Sequence, residues 1–246
     1  DDTLNGFVAG CTYKSAGCTN CYAAGTAHSL VRRFGSQVYA GVTDSKGRWT
    51  GQVKLYRDLI APRFKAVCPK TNRGKKKRIF LGSMFDLFDP AVPFDFILAV
   101  FREIEAYPHV TFQVLTKVPS RFLEFQDRFY LHGLPENVWA MTTVEHDKTH
   151  SRIDDLQKSK ASVRGLSMEP LVGPPPPLLA WMSICVGCGM RPGQGDPSWR
   201  WNGSGWEHRC AGVHPQAGHR PAVAISQLTK DHFRGDYEVR RRLRDA

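Results

Sequence analysis

Gly10-Cys11-Thr12-Tyr13-Lys14-Ser15-Ala16-Gly17-Cys18-Thr19-Asn20-Cys21-Tyr22-Ala23 puts three cysteines within eleven residues, spaced C-x6-C-x2-C. A structural zinc site closes its tetrahedron with a fourth Cys or His. His28, seven residues beyond Cys21, is the one local candidate. An iron–sulfur cubane is also held by thiolates, and one held by three leaves an iron open to a further ligand. The spacing therefore allows two assignments: an open cluster on Cys11, Cys18 and Cys21, or a zinc knuckle completed by His28 or a distant ligand. The strand and helix patterns that follow the loop favour the open cluster.

Outward from the loop, residues 22–34 set Ala23, Ala27, Leu30, Val31 and Phe34 at helical spacing, and Arg32 and Arg33 suit the negative pole of such a helix. A helix that starts directly after the third thiolate turns its amide end toward the cluster. Residues 35–53 read as a loop, and residues 53–67 as a helix interrupted or ended near Pro62. Strand and helix patterns then alternate. A strand is expected at 79–82, a helix at 93–107 with Pro93 near its start, and a strand at 111–116. A helix at 120–129 capped by Ser120, a strand at 138–144, a short helix at 153–158 and a strand at 163–167 follow. This alternation predicts right-handed crossovers and a parallel sheet, hence an α/β fold.

In each unit polar residues arrive as the strand ends: Ser83 and Asp86, Thr116 and Lys117, Thr143 and Glu145, Ser167 and Glu169. In closed and partly closed barrels that edge is where sites are built. Taken singly, Ser83 and Ser167 read as caps or loop residues. Lys117 before Val118-Pro119 and Glu169 before Pro170 are less easily explained so. Pro170 sets Glu169 in extended backbone, pointing it across the edge that carries Lys117 and Glu145.

Composition changes at Gly173-Pro174-Pro175-Pro176-Pro177, a stiff extended linker. Cys185-Val186-Gly187-Cys188 is a zinc-ribbon half-site, and Asn202-Gly203 marks a hairpin between aromatic-polar alternations. Cys210 with His214 or His219 supplies the second half-site. The expected units are residues 1–172, the linker 173–182, the ribbon-like segment 183–222 and a basic tail 223–246. Trp199, Trp201 and Trp206 read either as a small ribbon core or as a base-stacking surface.

The cysteine run resembles the three-cysteine motif of radical S-adenosylmethionine enzymes, with the first spacing widened. More closely it resembles a phage-associated family of radical-SAM-like proteins known mostly as a domain of unknown function. The resemblance continues at Arg78-Ile-Phe-Leu-Gly-Ser-Met-Phe-Asp-Leu-Phe88, Thr111-Phe-Gln-Val-Leu-Thr-Lys117, Asn137-Val-Trp-Ala-Met-Thr-Thr-Val-Glu145 and Val163-Arg-Gly-Leu-Ser-Met-Glu-Pro-Leu171. It implies a partial (β/α) barrel of radical-SAM type, here with a C-terminal zinc-ribbon-like appendage. It implies a 4Fe-4S cluster on Cys11, Cys18 and Cys21, and S-adenosylmethionine beside Tyr22. Ser83, Asp86, Thr116 and Glu169 would bind the cofactor; Lys117, Glu145 and Glu169 would be the catalytic side chains. An electron donor of the flavodoxin or ferredoxin class would serve the cluster. The tail departs from the resemblance: relatives continue into a Gly-Gly-Glu-like strand, whereas Trp181-Met182-Ser183-Ile184 enters the C-x2-C half-site.

Length and balance bound the rest. A chain of 246 residues, 41% hydrophobic and 23% charged, is long enough for a substantial core. No apolar run reaches the length of a membrane span, so no membrane partner is expected. Of seven cysteines, six fall in two triplets and Cys68 stands apart. Such triplets read as metal sites in a reducing compartment, the cytoplasm (of a bacterial host if phage-encoded). The net charge of +11 favours a polyanionic partner, a nucleic acid or nucleotide. The competing class is a non-enzymatic nucleic-acid-binding protein with two zinc sites.

Overall fold

The protein's computed structural model describes residues 2–69 and 77–174, and the backbone of residues 199–201, 206–208 and 223–225. The chain opens with β1 (Asp2–Leu4), β2 (Val8–Ala9), α1 (Tyr22–Phe34), β3 (Lys54–Leu55) and α2 (Ile60–Val67). Strands and helices then alternate: β4 (Lys77–Leu81), α3 (Phe94–Glu105), β5 (Val110–Thr116), α4 (Pro119–Phe129), β6 (Val138–Thr143), α5 (Ser151–Lys158) and β7 (Val163–Ser167). Three further strands follow, β8 (Trp199–Trp201), β9 (Trp206–His208) and β10 (Val223–Ile225).

Six strands form one sheet in the order β1-β4-β5-β6-β7-β10, and every neighbouring pair is parallel. The fold is therefore α/β, as the alternation requires. Each new strand is laid on the same side of the last, so right-handed crossovers bring the connecting helices to one face. The sheet has two edges, β1 and β10, and no pairing among the described residues joins them into a closed barrel.

Burial identifies the helix-covered face. Along β5, buried Val110, Phe112, Val114 and Thr116 alternate with half-buried Thr111, Gln113 and Leu115, the period of two that a strand imposes. α3 answers with Phe96, Ile97, Val100, Phe101 and Ile104, one stripe at helical spacing. Each such side chain contributes roughly 1.5–3 kcal/mol by leaving water. Phenylalanine rings fill much of this layer: Phe88 lies 4.7 Å from Phe122 and Phe101 4.8 Å from Phe125, centroid to centroid. The chemistry is thus left to the edge and to the less covered face.

Several local expectations change. The segment expected as one helix over 53–67 divides into β3 and α2, with a turn of 3-10 helix at Arg57–Leu59 between them. Pro62 sits in the first turn of α2, where its missing N–H has no helical partner to lose. Ser120 does not cap α4: Pro119 occupies the first turn and Val118 the cap position, with no side-chain cap bond. β1 and β10 add strands at the two edges, where no strand was read. β8 and β9 pair antiparallel, as a hairpin there requires, while Asn202 and Gly203 themselves lie outside the described residues. The linker beyond Pro174, Cys185, Cys188, Cys210, His214 and His219 lie outside the described residues. Among the described residues no helix is long and apolar enough to cross a membrane.

Candidate functional site

All six strands run parallel, so the segments that leave them gather along a single edge. The cysteine loop lies across that edge. It is launched by Gly10, whose φ of +89° and approach to Gln52 (a Cβ there would stand 2.0 Å from the Gln52 carbonyl oxygen) admit only glycine. The preceding β2 is tied by antiparallel pairing to β3.

Three consecutive strand ends then hold the loop. From the segment after β4, Asp89 Oδ2 accepts hydrogen bonds from the Thr12 amide (2.7 Å), the Thr12 hydroxyl (2.8 Å) and Lys14 Nζ (2.6 Å). From the end of β5, Lys117 Nζ lies 3.8 Å from Cys18 Sγ and pairs with Glu145. From the segment after β6, Glu145 Oε2 accepts the Gly17 amide at 3.2 Å. Arg152 of α5 approaches the same carboxylate, Nη1 standing 3.8 Å from Oε1. Asp86 ties two ends together, accepting the Phe88 amide on one oxygen and the Lys117 amide on the other.

These charges are buried, so partners decide their states. The Asp89 and Glu145 side chains are 1% and 0% exposed. Burial alone would raise both carboxyls, but the Lys14, Thr12 and Ala91 hydrogen bonds hold Asp89 below its ordinary value. Glu145 is likewise held low against burial, chiefly by its bond from Lys117. Lys14 follows the mirror logic: burial opposes its charge, but Asp86, Cys11 and Asp89 push its pKa upward. Lys14 Nζ also donates to Cys11 Sγ at 3.1 Å. Burial pushes the Cys11 thiol up to about 12, against the pull of Lys14.

The other side of the loop is open. Cys21 occupies the N-cap of α1, and Tyr22 beside it is 63% exposed, its hydroxyl donating to the Ser83 carbonyl at 2.7 Å. Ser83 Oγ accepts from Asn5, which follows β1. Burial, the Cys21 sulfur and the Glu169 carboxylate raise the Tyr22 phenol pKa, so Glu169 shares this neighbourhood. Glu169 is half-buried; its Oε1 is buried and has no hydrogen-bond partner among the described residues. Such an orphan costs about 1–3 kcal/mol.

Cys11, Cys18 and Cys21 are each half-buried free thiols. Among the described residues no three His, Cys, Asp or Glu side chains gather closely enough for a single metal ion. A tetrahedral zinc with bonds of ~2.3 Å needs its sulfurs about 3.8 Å apart. His28 packs beside Gly47. A cubane makes a different demand, because each thiolate binds a different iron. Cys11, Cys18 and Cys21, three free thiols on one loop, have the donor chemistry for such a group and would be its ligands.

The comparisons with known proteins bear on this loop and the strand ends together. The family described as "Protein of unknown function (DUF5131)" matches residues 1–200, which include the cysteine loop and every strand end named above. The chain belongs to that family. No curated protein and no solved structure matches it.

Of the residues singled out by sequence, the structure brings Cys11, Cys18, Cys21, Tyr22, Ser83, Asp86, Lys117, Glu145 and Glu169 to one edge. Thr116 is buried and turned to local use, its hydroxyl accepting the Val118 amide and its carbonyl the Thr142 hydroxyl. Sequence reasoning missed Lys14, Asp89, Gly17 and Arg152. Lys14 and Gly17 sit inside the quoted loop, and Asp89 three residues beyond Asp86, yet nothing in their spacing reveals their partners.

Proposed function

We propose that this protein is a radical S-adenosylmethionine enzyme acting on a nucleic acid or nucleotide. In this reading Cys11, Cys18 and Cys21 hold a 4Fe-4S cluster, the sheet is a partial (β/α) barrel, and residues beyond the proline run carry a structural zinc on Cys185, Cys188, Cys210 and His214 or His219. The observation that carries it is the seating of a three-thiol loop across the ends of β4, β5 and β6. That edge is where parallel α/β sheets place reacting groups. Cys11, Cys18 and Cys21 would hold the cluster there, and, served by a flavodoxin- or ferredoxin-class donor, it would supply one-electron reduction of the sulfonium of S-adenosylmethionine.

The chain's own residues divide the remaining work. Asp89 and Glu145 hold the loop in shape, so they position it and do not touch the reacting atoms. Lys117 does the same from β5. Tyr22 offers an exposed ring, its hydroxyl anchored, for a flat base or adenine. Glu169 offers one buried carboxylate oxygen, unpartnered among the described residues, to a donor group, the amine or ribose hydroxyls of the cofactor or an amine of the substrate. The net charge of +11 over the whole chain suits a polyanionic substrate.

Anaerobic reconstitution with iron and sulfide tests the reading. A brown protein with a cubane signal on reduction and S-adenosylmethionine cleavage is expected, and Cys18→Ala removes both. Stoichiometric zinc at both cysteine clusters with no such signal overturns it in favour of a nucleic-acid-binding protein with two zinc sites.

A further inference from the structure

We infer that Lys14 and Lys117 are fixed counter-cations that raise the reduction potential of the cluster held by this loop. The inference rests on the proposed function; it gives Lys14 a role and adds an electrostatic one to the loop-positioning role of Lys117. Each ammonium stands against a different sulfur: Lys14 Nζ is 3.1 Å from Cys11 Sγ and Lys117 Nζ is 3.8 Å from Cys18 Sγ. Each is also paired with a buried carboxylate, Asp89 for Lys14 and Glu145 for Lys117, and at Cys11 the Lys14 charge is opposed in part by Asp86 and Asp89. Cys21, the third thiol, stands at the N-cap of α1, a thirteen-residue helix whose amide end is positive. All three sulfurs therefore lie beside positive charge or a positive dipole.

The arrangement is pre-set. The Lys14 side chain is only 7% exposed and that of Lys117 20%, so water does little to weaken their fields at the sulfurs. The two carboxylates come from segments after β4 and β6, so the lysines are aimed by the sheet and not by the loop alone. Buried charges of this kind are costly without partners, and Asp89 and Glu145 satisfy that need while leaving each ammonium on the sulfur side.

The electrostatic consequence has a definite sign. Reduction adds one electron, from a low-potential donor, to a group already negative with three thiolates. A fixed positive charge at a ligand sulfur stabilises that extra electron, and hydrogen bonds to the sulfurs are a recognised lever on such potentials. Removing the charge makes reduction harder.

The test uses the full chain, reconstituted anaerobically without S-adenosylmethionine and titrated with a chemical reductant, the reduced signal being followed by electron paramagnetic resonance. Lys14→Gln and Lys117→Gln are each expected to lower the reduced-to-oxidised ratio at a fixed potential about tenfold, which is ~59 mV for a one-electron couple. Lys14→Arg, which keeps the charge, should stay within about threefold of the parent. Should Lys14→Gln fail to fold with Asp89 left unpaired, Lys14→Gln/Asp89→Asn removes both charges and should shift the same way by less. Parent-like potentials in the Gln variants, or a shift to easier reduction, overturn the inference and leave the proposed function standing. Folded Gln variants that bind no iron overturn it in favour of a role in assembly. A parent that assembles no cluster removes the proposed function and this inference with it.

Discussion

The two flanks of the cysteine loop are built differently. The Cys11–Cys18 flank is closed by buried charge: Asp89 gathers Thr12 and Lys14, and Glu145 gathers Gly17, Lys117 and Arg152. The Cys21 flank has an exposed Tyr22 ring and a Glu169 oxygen that is buried without a partner among the described residues. Satisfied charges hold a shape, while an unsatisfied one is a standing cost that a ligand can remove. In the proposed function the first flank is the scaffold and the second the recognition side.

The largest effect should come from breaking the scaffold at its centre. Glu145→Ala leaves Lys117 and the Gly17 amide without their acceptor, and loss of one partner of a buried pair typically costs ~3–5 kcal/mol. Chemical denaturation of the apo protein measures it; a loss below about 1 kcal/mol would reduce the network to decoration. The same residue sets a pH dependence. Because its folded pKa lies below the ordinary carboxylate value, its contribution is full above about pH 4 and is lost as pH falls through the folded value. Glu145→Gln should therefore flatten the acid limb of the stability curve.

A smaller effect is expected at Gly17. An added Cβ would fall 2.6 Å from the Glu145 carboxyl carbon, and that carboxylate is held by Lys117 and cannot swing away freely. Gly17→Ala should cost ~1–3 kcal/mol by overcrowding and lower the iron bound on reconstitution. A fully stable, fully loaded Gly17→Ala protein would show that the loop is looser than its hydrogen bonds suggest.

Glu169→Gln should change stability least, by no more than about 0.5 kcal/mol, because no partner among the described residues is lost. Its effect belongs to binding. Loss of a charge-assisted bond weakens affinity for S-adenosylmethionine or slows its cleavage about tenfold, ~1.4 kcal/mol. Isothermal titration and a cleavage assay on the reconstituted variant measure the two. Parent-like affinity with parent-like turnover would take Glu169 out of the site and end the contrast between the flanks.

Strand and helix order was legible because burial on a sheet and along a helix stripe repeats with periods of two and about 3.6 residues. β5 and α3 carry these periods plainly. Short edge strands do not: β1 and β10 have three residues each, too few to show a period, and exist through pairing with β4 and β7. Pro62 misled for a related reason, since a proline that breaks a helix interior is harmless in a first turn.

By itself the sequence determined the parallel α/β layering, the three-thiol loop, and the polar residues that arrive as the strands end, because each of these is local in the chain. Tertiary structure alone decided which of those residues meet. Lys14 and Asp89 are 75 positions apart and Gly17 and Glu145 128 apart. A charge carries no mark of its partner in a linear string; the parallel stacking of β4, β5 and β6 brings their ends under one loop. The same stacking left one Glu169 oxygen buried with no partner among the described residues, which the run Met168-Glu169-Pro170 cannot reveal, because satisfaction of a buried oxygen depends on what the rest of the fold places beside it.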